Sequence, residues 1–189
     1  MKQLRIFLLP FSALYGAVIF LRNKCYDLGI LHSKVFDLPV ISVGNLTYGG
    51  TGKTPHIEYL IRMLKDKHKI ATLSRGYGRK TSGFILADTN TTTFEVGDEP
   101  KQFKKKFPEI PVAVDTSRVR GIKKLLQDIS DLNVILLDDA FQHRSVKSGL
   151  NILLTDYCNM YYDDILLPTG TLREFRSGNE RADIIIVTK

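Results

Sequence analysis

VISVGNLTYGGTGKTPHIEYLIRMLKDKH, residues 40–68, decides the fold. VISV (40–43) is a short apolar run suited to a buried strand. GNLTYGGTGKTP (44–55) follows it and is dense in glycine. Beyond it, Ile57, Leu60, Ile61 and Leu64 recur at helical spacing. Strand, glycine-rich loop and helix, in that order, is the setting a phosphate-binding loop requires. Gly49, Gly50 and Gly52 free the backbone to turn its N–H groups onto phosphate oxygens. The start of the helix adds a partial positive charge. Lys53 is expected to reach the β- and γ-phosphates of ATP, and the Thr54 hydroxyl to hold Mg²⁺. The expected nucleotide-binding set is therefore Thr47, Gly49, Gly50, Thr51, Gly52, Lys53 and Thr54. One position departs from the usual G-x-x-x-x-G-K-[ST] pattern. Thr47 stands where its first glycine belongs, and Gly44 lies three residues earlier.

NVILLDDAFQHR (133–144) reads as a buried strand that ends in two carboxylates, Asp138 and Asp139. Such a strand delivers its carboxylates to the C-terminal edge of a sheet, beside the phosphate loop and its Mg²⁺. Both aspartates are expected metal ligands. Further strands are expected over Lys69–Ser74, Val112–Asp115, Asn151–Thr155 and Asp183–Thr188, and a helix over Ser117–Ile129. Strand and helix in alternation imply right-handed crossovers and a parallel sheet with helices on both faces, an α/β fold of P-loop NTPase type. Gly83–Val96 holds two short apolar stretches around DTNTTT and is expected to form a small β-hairpin insertion.

The composition agrees with a soluble globular protein. Of the 189 residues, 43% are hydrophobic and 25% charged, which excludes disordered and fibrous classes. Cys25 and Cys158 lie far apart and show no metal-ligand spacing, so both are expected as reduced thiols. A net charge of +7 favours an anionic partner.

Residues 1–36 read as a separate, membrane-associating region preceding a kinase-like lobe over 37–189. Ile6–Leu21 carries no charge and is bracketed by Lys2, Arg5, Arg22 and Lys24. As a helix it would be ~24 Å long, short for a hydrocarbon core of about 30 Å. Pro10 should kink or delay that helix. Three readings stand: a signal peptide lacking a good cleavage site, an ordinary packed helix, and a helix lying in the membrane interface with its basic ends on anionic headgroups.

SVGNLTYGGTGKTP, SRGYGRK, VGDEP, LLDDAFQHR, LPTGTLREF and ADIIIVTK, taken together and in this order, resemble the tetraacyldisaccharide 4′-kinase family of lipid A biosynthesis. The resemblance implies transfer of the ATP γ-phosphoryl group to the 4′-hydroxyl of a lipid-linked glucosamine disaccharide phosphate. It implies a peripheral protein on the cytoplasmic face of the bacterial inner membrane. Its partners would be the lipid precursor and the anionic membrane surface, with neither nucleic acid nor a protein partner expected. By the same resemblance Asp98 is the carboxylate that orients or deprotonates the sugar hydroxyl. Lys53, Asp139 and Arg173 join it as catalytic residues, and Glu174 supports Mg²⁺. Arg75, Tyr77, Arg118, Gln142 and His143 are expected to contact substrate. The family continues into a second lobe with a histidine-containing motif, so the chain is expected to hold the P-loop lobe alone, with little transfer activity by itself. Two other readings remain at this level: a regulatory P-loop NTPase, for which IIIVTK would begin a guanine-specificity motif, and an inactive membrane-bound nucleotide-binding module.

Overall fold

A computed structural model describes residues 6–188 of the protein. After a 3₁₀ turn at Ile6–Leu8, helix α1 runs over Leu9–Asp27 with Pro10 in its first turn. Proline is tolerated there because the missing N–H would have had no helical partner, so Pro10 delays the helix without kinking it. The flanking Lys2 and Arg5 lie outside the described residues.

Strand β1 (Val40–Asn45) leads into the glycine-rich loop and helix α2 (Lys53–Leu64). Then come β2 (Ile70–Ser74), β3 (Ile85–Ala87), α3 (Thr93–Val96), α4 (Asp98–Lys106) and β4 (Val112–Val114). Helix α5 (Arg118–Asp128), β5 (Val134–Asp138), β6 (Leu150–Asp156) and β7 (Ile184–Thr188) follow. The seven strands form one sheet in the order β3-β4-β2-β5-β1-β6-β7. All pairings are parallel except β3 with β4, which is antiparallel. On one face α2 and α4 pack Ile57, Ile61 and Phe103 against Val43, Ile70 and Leu136. On the other, α5 packs Ile122 and Leu125 against Leu73, Ile135 and Leu137. Burial on both faces explains why β2, β4 and β5 are fully buried, apolar-rich strands without alternation.

The expected hairpin over 83–96 is not formed. Ile85–Ala87 pairs with β4 instead. The Asp88 carboxylate accepts from the N–H groups of Asn90 and Thr91 and turns the chain. Thr92 and Glu95 then make a reciprocal capping box that starts α3. Asp and Thr side chains that bond their own backbone outcompete a second strand here.

Gly44 is explained by packing. A Cβ at this position would lie 2.6 Å from the Phe141 Cβ and 2.9 Å from its backbone N. The backbone of β1 therefore touches the turn that follows β5, and phosphate plays no part in it. Gly44→Ala should destabilise the fold by about 1–3 kcal/mol through overpacking, read as a shift of the urea unfolding midpoint. An unchanged midpoint would mean that the turn relaxes freely.

Candidate active site

The sheet register sets the site. Val43 of β1 lies level with Asp138 of β5, so the aspartate emerges beside the start of the phosphate loop. The loop is braced from below by the 171–173 segment. Tyr48 N–H donates to the Thr171 carbonyl at 2.7 Å, and Arg173 N–H donates to the Leu46 carbonyl at 2.7 Å. Gly52 turns into α2 at φ +75°, a conformation that favours glycine.

The loop borders a cleft of about 700 Å³. Of the expected residues, Gly49, Gly50, Thr51, Gly52, Lys53 and Thr54 line it, joined by Arg75, Tyr77, Arg118, Asp138, Asp139, Gln142, His143 and Arg173. Thr47 is buried beneath the loop and lines a neighbouring cavity instead. Lys53 Nζ donates to Asn45 Oδ1 at 3.2 Å and lies 3.6 Å from Asp139 Oδ1. Asn45 was not singled out by sequence, although it stands inside the GNLTYGG stretch.

The two aspartates have different surroundings. Asp139, at φ +48°, accepts both of its strong bonds from Arg173 Nη1, at 2.9 and 3.0 Å. Burial works against its charge, but Lys53 and Arg173 outweigh burial and hold the carboxyl below the usual range. Asp138 is 5% exposed, and its Oδ1 has no hydrogen-bond partner among the described residues. Burial, then repulsion from Asp139, pushes it up to about 7. Adjacent carboxylates driven apart in this way commonly carry separate duties. Asp138 lines the cleft with its buried Oδ1 unpartnered, whereas Asp139 is committed to two cations.

Arg118, expected to bind substrate, is 1% exposed. It donates to the Asp115 carbonyl at 2.9 Å and the Asp138 carbonyl at 3.4 Å. It is thus a brace between the ends of β4 and β5 that also borders the cleft. Burial brings its guanidinium down to about 10. The same burial, with Arg118 next, pushes the His143 imidazole down to about 4, so it is neutral at physiological pH.

Three further placements differ from expectation. Glu174 is 2% exposed and does not line the cleft, with its oxygens taken up by Asn23, Gln142 and Arg181. It is a structural anchor beneath the site, and the structure gives it no open lone pair for Mg²⁺. Gln142 reaches the cleft, but its amide is spent on the Asn45 carbonyl and Glu174. Asp98 is exposed at the first residue of α4, and its neighbour Glu99 is the acid that lines the cleft. Arg75 and Tyr77 stand exposed at the mouth, where Tyr48 beside it pushes the Tyr77 phenol up.

Among the described residues, no three His, Cys, Asp or Glu side chains gather as a metal cage. That suits Mg²⁺, which prefers one or two protein ligands plus phosphate oxygens and water. Asp138, with its unpartnered Oδ1, and Thr54, which lines the same cleft, are the fitting ligands.

The tetraacyldisaccharide-1-P 4′-kinase family model matches residues 4–189. A tetraacyldisaccharide 4′-kinase of Flavobacterium johnsoniae is 59% identical over 189 residues, covering 100% of this chain and 56% of its own length. That of Parabacteroides distasonis is 58% identical over 184 residues, covering 96% of this chain and 50% of its own. A crystal structure of "apo" form LpxK from Aquifex aeolicus in complex with ATP matches with a TM-score of 0.91 at 42% identity. It covers 98% of this chain and 59% of that one. The chain thus spans about half the length of the curated relatives it matches.

Proposed function

The chain belongs to the tetraacyldisaccharide-1-P 4′-kinase family, and from that premise we propose that the protein transfers the γ-phosphoryl group of ATP to the 4′-hydroxyl of an anionic, lipid-linked glucosamine disaccharide. The observation that carries this reading is the pairing of a glycine-rich loop with the buried, unpartnered Asp138 carboxylate one strand away.

The loop N–H groups from Gly49 to Gly52 and the first turn of α2 bind the phosphates. Lys53 leaves Asn45 and Asp139 to reach the terminal phosphates, and Arg173 keeps Asp139 charged while this exchange occurs. Thr54 and Asp138 would hold Mg²⁺, which supplies neutralisation of charge on the transferring phosphoryl group. The acidic pair Asp98–Glu99 at the start of α4 is the source of the carboxylate that orients the sugar hydroxyl. Neutral His143 and Arg75 line the acceptor side. Transfer of this kind depends on positioning and on charge stabilised away from water. The test follows label from the γ-phosphate of ATP into organic-extractable lipid, using this chain and the same chain joined to the C-terminal half of the F. johnsoniae relative. Label in lipid supports the reading; label only in inorganic phosphate, for both proteins, refutes it.

We also infer that α1 rests on the cytoplasmic face of the bacterial inner membrane, peripherally. No helix among the described residues is long and apolar enough to cross a membrane. Phe7, Phe11, Leu14 and Val18 are nevertheless 59–79% exposed along one face of the chain's first helical segment, and the exposed Lys24 stands near its end as a partner for anionic headgroups. Burial of an apolar side chain contributes roughly 1.5–3 kcal/mol. Replacing Phe11, Leu14 and Val18 together by serine should therefore lower affinity for anionic vesicles by a factor of about 10³. Undiminished co-sedimentation of that triple variant would refute the anchor.

A further inference from the structure

Helix α1 is polar where it meets the protein and apolar where it faces outward, the reverse of a helix on a water-soluble domain. Its inward stripe is Ser12, Tyr15, Gly16, Ile19, Arg22 and Asn23, all at helical spacing. Gly16 allows close approach: a Cβ there would lie 2.7 Å from Leu166 Cδ1 and 3.0 Å from Phe175 Cζ. The polar members of the stripe bond the segments that build the phosphate site. Ser12 Oγ is 2.7 Å from Thr169 Oγ1, and Asn23 Nδ2 donates to Glu174 Oε2 at 3.1 Å.

Two of these bonds lead to Lys53. Tyr15 Oη donates to the Arg173 carbonyl at 2.7 Å, and the Arg173 guanidinium grips Asp139, the counter-ion of Lys53. Arg22 donates to the Gln142 carbonyl at 2.6 Å. The Gln142 amide donates to the Asn45 carbonyl at 2.8 Å, and the Asn45 side chain accepts from Lys53. Both routes start on one helical face and converge on one ammonium group. Tyr15, Ile19 and Arg22 also line the same cleft as Lys53.

We propose that α1 is a working part of the nucleotide site, in which Tyr15 and Arg22 are positioning residues that fix Arg173 and Gln142 and, through them, Lys53. One helix then presents its outer face to the bilayer and builds the phosphate site with its inner face. The inference rests on the phosphate-binding and membrane-facing parts of the proposed function and not on the identity of the acceptor.

The test titrates a fluorescent ATP analogue with Mg²⁺ into the chain on phosphatidylglycerol-containing vesicles, below its unfolding transition. Loss of one hydrogen bond of ordinary strength corresponds to about fivefold in affinity. Tyr15→Phe keeps the ring packing and should weaken binding about fivefold, as should Arg22→Gln. Arg22→Lys keeps a donor and should recover most of the loss. Vesicle co-sedimentation should be unchanged in all three, because the outward stripe is untouched. Should Arg22→Gln fail to fold, Tyr15→Phe alone decides. Wild-type affinity in the variants would overturn the inference and leave the proposed function standing. Absence of Mg·ATP binding by the unsubstituted protein would overturn the phosphate-site reading, and this inference with it.

Discussion

Lys53→Ala is expected to lower phosphoryl transfer by about 10²–10³ while leaving the far-ultraviolet circular dichroism unchanged. The ammonium lies in a polar nest of Asn45, the Gly49 carbonyl and Asp139, and supports no part of the hydrophobic core. Its removal therefore costs charge stabilisation at the phosphates and little else. Asp139 would keep Arg173 as a partner. Full turnover by Lys53→Ala would remove the loop from the chemistry.

Asp138→Asn should move activity and stability in opposite directions. Transfer should fall by about 10²–10³ through loss of an electrostatic contact at the metal. Stability without Mg·ATP should rise at pH 8. The folded-state value of about 7 lies above the ordinary 3.8, so the folded protein binds this proton more tightly than the unfolded chain. Stability contributed by this group is complete below pH 3.8 and is lost as pH rises to about 7. An asparagine at this position has no proton to lose, so the variant avoids that decline. Thermal unfolding should show a higher midpoint than wild type at pH 8 and a smaller difference near pH 4. Equal midpoints at both values would show that the buried carboxylate carries no penalty.

The loop and its flanking elements were legible because each is specified locally. The apolar run 40–43, the glycines and the periodic Ile57, Leu60 and Ile61 need no distant partner to declare themselves. The same holds for the apolar strand that ends at Asp138. Residues 83–96 form no hairpin because the Thr92–Glu95 capping pair starts a helix where the second apolar stretch suggests a strand. What remained illegible depends on segments brought together from afar. Glu174 looks like a free acid in LPTGTLREF, but the fold surrounds it with Asn23, Gln142 and Arg181 from three other places in the chain. Arg118 opens a helix and is expected at the substrate, and only the fold buries it against the carbonyls of Asp115 and Asp138. In the same way, 6–21 declares an apolar segment, while the choice of inward face rests on Ser12, Tyr15 and Arg22 meeting carbonyls more than a hundred residues away.

The most direct test of the central claim is the fate of the transferred phosphorus. A tetraacyldisaccharide 1-phosphate in detergent is incubated with Mg·ATP and the chain joined to the C-terminal half of its F. johnsoniae relative, and the products are followed by ³¹P NMR. A new phosphomonoester signal coupled to the proton at the 4′ carbon of the disaccharide is expected, growing in step with ADP. ADP accompanied only by inorganic phosphate, with the disaccharide unchanged, would contradict it.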